Sequence, residues 1–341
     1  KVGDTTPDGA TALLYAAGSA RNPEVVSVLL AAGARIDGTT PDGWSALMIA
    51  AWSNPNPEVL STLVRAGGNL ADTNTSGRTV LMIAAGSNPS PAVISFLLRA
   101  GGGLGQRTRD GWTPLMCAAQ SNGNTAILST LLDAGASVHD RTADGSTPLL
   151  IAAQSNPAPG IIDTLIAAGA RTDEKSADRT PLLIAAQFNP NPAVISALLH
   201  AGADASEVTT DGRTPLMLAA QYNDNPEVLR TLVRAGNDVN ARAPDGRTAL
   251  ILAAQSSRSP AVISALASSG ARIDDPLPDG RTPLMLACEH SAETGVVRAL
   301  LAAGADRARV SREGLTAADY LRRNPRLSDS AVMQDVENRP R

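Results

Sequence analysis

Residues 211–220 read Asp211-Gly212-Arg213-Thr214-Pro215-Leu216-Met217-Leu218-Ala219-Ala220, and this stretch returns with small changes along almost the whole chain. The threonine marks the register. One column holds Thr11, Ser45, Thr79, Thr113, Thr147, Thr180, Thr214, Thr248, Thr282 and Thr316. Successive members are 34 residues apart, except for 33 between Thr147 and Thr180. The short interval lacks a glycine: Asp178-Arg179 stands where other copies read Asp-Gly-Arg. A fixed period in this range is the signature of stacked repeats. The chain holds nine complete units and a tenth, incomplete one.

Each unit has the same plan. A turn such as Asp211-Gly212 or Asp245-Gly246 comes first. The threonine then caps a short helix, with proline in the first turn at Pro114, Pro148, Pro215 and Pro283. A polar connector such as Tyr222-Asn223-Asp224-Asn225 ends that helix. A second helix begins at a proline column: Pro23, Pro57, Pro91, Pro159, Pro192, Pro226 and Pro260. Asn22, Asn56, Asn191 and Asn225 precede it as N-caps. Apolar residues follow at three-four spacing, as in Val228, Leu229, Leu232 and Val233. The helix stops at a glycine column running from Gly33 to Gly304, suited to a left-handed C-terminal cap.

Asp-Gly-Arg-Thr-Pro-Leu-Met-Leu-Ala-Ala (211–220), closing at Arg234-Ala235-Gly236, resembles the ankyrin repeat over roughly residues 4 to 323. The resemblance implies an all-α solenoid of stacked helix-turn-helix units with short β-turn fingers. Residues 1–310 form nine repeats. Residues 311–341 form the incomplete tenth, a C-terminal cap, plus a polar tail. Two departures stand out. The period carries one residue more than the family's, placed in the connector between the helices. The family's histidine after Thr-Pro-Leu, which hydrogen-bonds between turns, is absent; that column reads Leu14, Met48, Met82, Met116, Leu150, Leu183, Met217, Ile251 and Met285. Apolar packing is expected to replace the lost polar tie. The proline-rich, histidine-poor form is read as a bacterial variant. The chain begins at Lys1 rather than Met, and repeat 1 has no cap before it, so more sequence is expected upstream.

Composition narrows the function. Hydrophobic residues make up 43% and aromatics only 2%, which suits thin repeated layers rather than one thick core. The net charge of −4 provides no basic field for nucleic acid. No apolar run approaches the ~18 residues that span a membrane. Two cysteines, Cys117 and Cys288, cannot build a disulfide framework and occupy helix-core columns, so both are read as inert thiols that fit cytoplasm and periplasm alike. His139, His200 and His290 fall in different repeats and share no metal. Five of the six methionines lie in the histidine column and are read as core. Gly101-Gly102-Gly103-Leu104-Gly105 has no preceding strand and no following Gly-Lys-Ser/Thr, so it is no phosphate loop. No catalytic constellation, cofactor or metal site is implied.

The resemblance places partner contacts on the finger turns and the exposed face of each first helix. The position after the turn glycine reads Ala10, Trp44, Arg78, Trp112, Ser146, then Arg179, Arg213, Arg247 and Arg281. The two positions after the Ala-Ala pair carry Trp52, Phe188 and Tyr222, and a glutamine series from Gln120 to Gln255. Five of the eight aromatics therefore face the groove; Tyr15 and Phe96 fall in core-type columns, and Tyr320 in the cap. Tryptophan and tyrosine are enriched at binding hot spots. The arginine ladder reads either as a track for an acidic segment or as pairing with adjacent aspartates. The glutamines either brace fingers or line the groove. The expected function is a monomeric protein-binding scaffold or inhibitor. The alternative is a receptor for an extended peptide, a glycan or another small ligand in the same groove.

Overall fold

The computed structural model describes residues 2–7, 9–327 and 331–337. These residues contain twenty α-helices and form two compact units, Lys1–Ala177 and Asp178–Arg341. The first unit holds α1 (Ala12–Ser19), α2 (Pro23–Ala31), α3 (Ala46–Ser53), α4 (Pro57–Arg65), α5 (Val80–Ser87), α6 (Pro91–Arg99), α7 (Pro114–Ser121), α8 (Thr125–Asp133), α9 (Pro148–Ser155) and α10 (Pro159–Ala167). The second holds α11 (Pro181–Phe188), α12 (Pro192–His200), α13 (Pro215–Tyr222), α14 (Pro226–Arg234), α15 (Ala249–Ser256), α16 (Pro260–Ser268), α17 (Pro283–His290), α18 (Thr294–Ala302), α19 (Ala317–Arg323) and α20 (Val332–Glu337). Within each unit, odd-numbered inner helices stack on one another and even-numbered outer helices form a second layer behind them. The fold is all-α and solenoidal, as the repeat period predicts.

The columns read from sequence explain the local geometry. At every inner helix the register Thr or Ser accepts a hydrogen bond from the backbone N–H three residues on. Such a cap stabilises by about 1 kcal/mol. Asn22, Asn56, Asn191 and Asn225 cap their outer helices through the N–H two residues on. The glycines that end the outer helices stand at φ +91° to +99°. At Gly33 this lets the N–H of Ala34 reach Leu29 O at 3.0 Å, closing the helix end. The Ala-Ala pairs, such as Ala50 and Ala51, are fully buried and let inner helices approach closely. Met48, Met82, Met116, Met217 and Met285 are buried at 0–1% exposure and are core.

The expectation that apolar packing alone replaces the histidine tie is corrected. The tie is polar and comes from another column. An eight-residue helix leaves its last four carbonyls without intrahelical partners. In α3 the Asn54 N–H takes Ala50 O at 2.8 Å, Ala51 is buried by the stack, and Trp52 and Ser53 stay exposed. Asn88 Nδ2 donates to Ala51 O at 2.8 Å and Asn54 O at 2.9 Å, both in the preceding repeat. Its Oδ1 accepts from Ser90 N at 2.9 Å. Asn54, Asn122 and Asn156 do the same in the first unit, as do Asn223 and Asn324 in the second. All of these asparagines are buried. Ser257 and Ser291 replace asparagine in repeats 8 and 9, and their hydroxyls bond only within their own connectors. The ladder is interrupted there.

Two irregularities follow from position. In repeat 1, Val25 is 47% exposed, whereas its column mates Val59, Val93, Ile127 and Ile161 are fully buried. No repeat packs over it among the described residues. At the short interval, the deleted glycine transfers the left-handed conformation to Ala177, at φ +55°, the one non-glycine residue with positive φ among those described. The Cβ makes this conformation costly by roughly 1–2 kcal/mol. At the C-terminal end, α19 opens with a capping box in which Thr316 and Asp319 satisfy each other's backbone N–H groups. α20 packs on α18 and α19, and Arg298 pairs with Asp335 at 2.9 Å.

Asn88→Ala removes three hydrogen bonds from a buried site, so urea unfolding should show a loss of about 3 kcal/mol; a change below about 0.5 kcal/mol would show that the ladder is no tie. Ala177→Gly should raise stability by about 1 kcal/mol in the same assay, and a destabilised variant would remove backbone strain as the account of this turn.

Candidate functional site

In the first unit, the fingers and inner helices of repeats 1–3 enclose an open groove of about 1080 Å³. Trp44 projects into it from a finger, and Trp52 from the C-terminal end of α3. Their rings meet edge to face, with centroids 6.1 Å apart and planes at 69°. This is a favoured aromatic geometry. Trp52 remains 51% exposed. Gly18 and Gly86 stand one repeat to either side, where later repeats carry glutamine or glutamate. A Cβ on Gly18 would come within 2.9 Å of Ile49 Cγ2 and 3.2 Å of Ser53 Oγ. With glycine there, Ser53 Oγ donates to Gly18 O at 3.2 Å and the wall stays low.

Tyr15 also lines this groove, 54% exposed. Sequence assigns it to a core-type column, and that assignment is corrected. Its mates Ile83, Cys117 and Ile151 are buried by the stack. Asp42, on the turn that carries Trp44, is exposed at the groove edge.

Trp112 lies apart from this pair. It lines a smaller groove of about 450 Å³ with Asp110, Gln120, Asp144 and Gln154. The Arg78 guanidinium sits 6.0 Å from the Trp112 ring centroid, a cation–π contact between neighbouring fingers. Thr142 and Ser146 hydroxyls hold the Asp144 carboxyl below its ordinary value, the Thr142 hydrogen bond first.

Phe188 and Tyr222 belong to the second unit, at the last positions of α11 and α13, and both are half-exposed. The arginines there are occupied. Arg213 pairs with Asp211 at 2.9 Å, Arg247 with Asp245 at 2.9 Å, and Arg281 with Asp279 at 2.7 Å. Arg179 lies 3.9 Å from Asp178. Three also brace the inner helix: Arg179 on Gln187, Arg213 on Gln221 at 2.6 Å, and Arg281 on Glu289 at 2.7 Å. Burial opposes the Asp279 charge, but hydrogen bonds from the Arg281 backbone and side chain hold its carboxyl below the usual range. Of the two readings of this column, the observed geometry is pairing, and Gln187 and Gln221 act as braces.

A family model for ankyrin repeats (3 copies) matches residues 1–74, 53–142, 122–209, 149–243, 182–276 and 216–313. The chain is an ankyrin-repeat protein. The solved structure of the human ASB11 ankyrin repeat domain is similar, with 26% sequence identity and a TM-score of 0.56. The similarity covers 67% of this chain and 99% of that one. No curated protein sequence matches. Ankyrin repeats are protein–protein interaction modules, and the family is typically a non-enzymatic scaffold.

The remaining chemistry of these ankyrin repeats is structural. Cys117 and Cys288 are buried, and burial pushes their thiols up to about 11 and about 12. They stay protonated and unreactive near neutral pH. His139 contacts Glu174 on the next finger at 3.2 Å, and His290 contacts Glu289 at 3.3 Å. Among the described residues no three His, Cys, Asp or Glu side chains converge as a metal site, and no helix is long and apolar enough to cross a membrane. Sequence reasoning missed Tyr15, Asp42 and the Arg78–Trp112 contact. The signal for Tyr15 was available in its place in the first repeat.

Proposed function

We propose that this chain is a protein-binding scaffold or inhibitor that holds a partner in the groove of its first unit. Trp44 and Trp52 are the anchors there, with Tyr15 beside them, and Trp112 is a further anchor in the smaller neighbouring groove. One observation carries the reading: an edge-to-face tryptophan pair stands in an open groove between flanking glycines, with Trp52 half-exposed. Exposed tryptophans in a concave site are the residues whose truncation costs a complex ~2 kcal/mol or more. A standard footprint of ~800 Å² per partner fits a groove lined by a few repeats. Phe188 and Tyr222 offer a further aromatic contact within the second unit. Arg179, Arg213, Arg247 and Arg281 act chiefly as finger braces there, because each already faces a carboxylate. The chain acts as a monomer and catalyses nothing itself.

Affinity capture from a lysate of the source organism, read by mass spectrometry, tests this. The intact chain runs beside the triple variant Trp44→Ala/Trp52→Ala/Trp112→Ala, checked for unchanged helicity. A partner retained by the intact chain and lost by the variant is expected. A partner held equally by both would move the site away from the tryptophans. No partner in either would favour a small-ligand receptor.

A further inference from the structure

The fingers of repeats 7–9 follow a pairing rule, the described fingers of the first unit depart from it, and the departure in repeat 2 stands beside an aromatic groove. In the second unit the turn aspartate pairs with the arginine two residues on, as Asp211 with Arg213 and Asp279 with Arg281. In repeat 2 that arginine is Trp44, and Asp42 keeps its carboxylate. Among the described residues no cation pairs with Asp42, which stands exposed at the groove edge. In repeat 3 the substitution is reversed. Ser76 replaces the aspartate, and Arg78 has no carboxylate on its own turn. Arg78 instead places its guanidinium 6.0 Å from the ring centroid of Trp112, one repeat further on. The first unit therefore already contains one guanidinium seated over a finger tryptophan.

Trp44 occupies the same column as Trp112, but the residue one repeat before it is Ala10. Among the described residues no guanidinium lies over the Trp44 ring as Arg78 lies over Trp112. The groove beside Trp44 is lined by the rings of Tyr15, Trp44 and Trp52, by the unpaired Asp42 carboxylate at its edge, and by Arg78, whose guanidinium is engaged with Trp112. Ring quadrupoles and a carboxylate both attract a cation, and the attraction strengthens as water is excluded.

We infer that this groove accepts the cationic side chain of a partner protein, an arginine or lysine in a basic segment, seated against Trp44 and paired with Asp42. The inference rests on the reading of this groove as the partner site and names the chemistry recognised there. It runs against recognition of an acidic segment by the arginine ladder, whose charges are internally neutralised.

Selection of phage-displayed random decapeptides on the whole chain tests it. Retained peptides are synthesised and titrated calorimetrically against the intact chain, Asp42→Asn, Trp52→Ala and Ala10→Arg, each first shown by thermal unfolding to be folded. Ala10→Arg is the informative variant. Arginine stands at this column in five other repeats, and here it would supply the missing guanidinium from within. The selected peptides are expected to share an arginine or lysine at one position. Replacing that arginine by neutral, isosteric citrulline, or that lysine by norleucine, should weaken binding about tenfold, as should Asp42→Asn. Ala10→Arg should weaken it at least as much. Peptides that need Trp52 yet tolerate the neutral replacement and Asp42→Asn within twofold would overturn the cation proposal and leave the groove standing. Peptides indifferent to Trp52→Ala, or a selection that retains none, would overturn the groove reading as well.

Discussion

Every inner helix of this protein is too short to satisfy its own backbone. Eight residues allow few i-to-i−4 bonds and leave the last carbonyls open. In an isolated helix water would take them. In the stack the carbonyl of a fully buried residue such as Ala51 is cut off from water, and an unpaired buried carbonyl is costly. Where the following connector begins with asparagine, its amide donates both hydrogens backwards, as Asn88 does to Ala51 in α3 and to the connector residue Asn54. Its carbonyl then accepts from its own connector, which fixes the entry to the next outer helix. One side chain thus sets the distance between repeats and the path between helices.

Much of this fold was legible in the residues. Threonine, proline and glycine columns carry local backbone requirements, and those requirements read the same in sequence and in space. The asparagine ladder was not legible. Asn223 sits in the polar stretch Tyr222-Asn223-Asp224-Asn225, and nothing local separates it from Asn225, which is an ordinary N-cap. Only the stack buries Asn223 and supplies its two acceptors. Tyr15 shows the opposite failure. Its column mates Ile83, Cys117 and Ile151 are buried, whereas Tyr15 is exposed and Ile49 in repeat 2 is only partly buried. The arginine column was ambiguous for a third reason. Charge alone permits either pairing or ligand attraction, and only distances such as 2.7 Å for Arg281–Asp279 decide between them.

The same scaffold carries two different inner faces. In the second unit, arginine and aspartate neutralise each other on successive fingers and glutamine or glutamate braces them from behind. That face is locally charge-balanced. In the first unit the arginines give way to Trp44 and Trp112, and glycines clear the helix surface around Trp52. Stability is spread over repeat interfaces and tolerates this. Function follows from the site and not from the fold, so the departures from the repeat rule, rather than the rule, carry the information about binding.

The measurement closest to the central claim is backbone amide hydrogen exchange, resolved repeat by repeat within each unit. If the asparagine tie holds repeats together, protection should be high across α3, α5, α7 and α9, where Asn54, Asn88, Asn122 and Asn156 complete the joints. It should fall at α15 and α17, whose joints carry Ser257 and Ser291. Equal protection at serine and asparagine joints, or greater protection at the serine joints, would contradict the account.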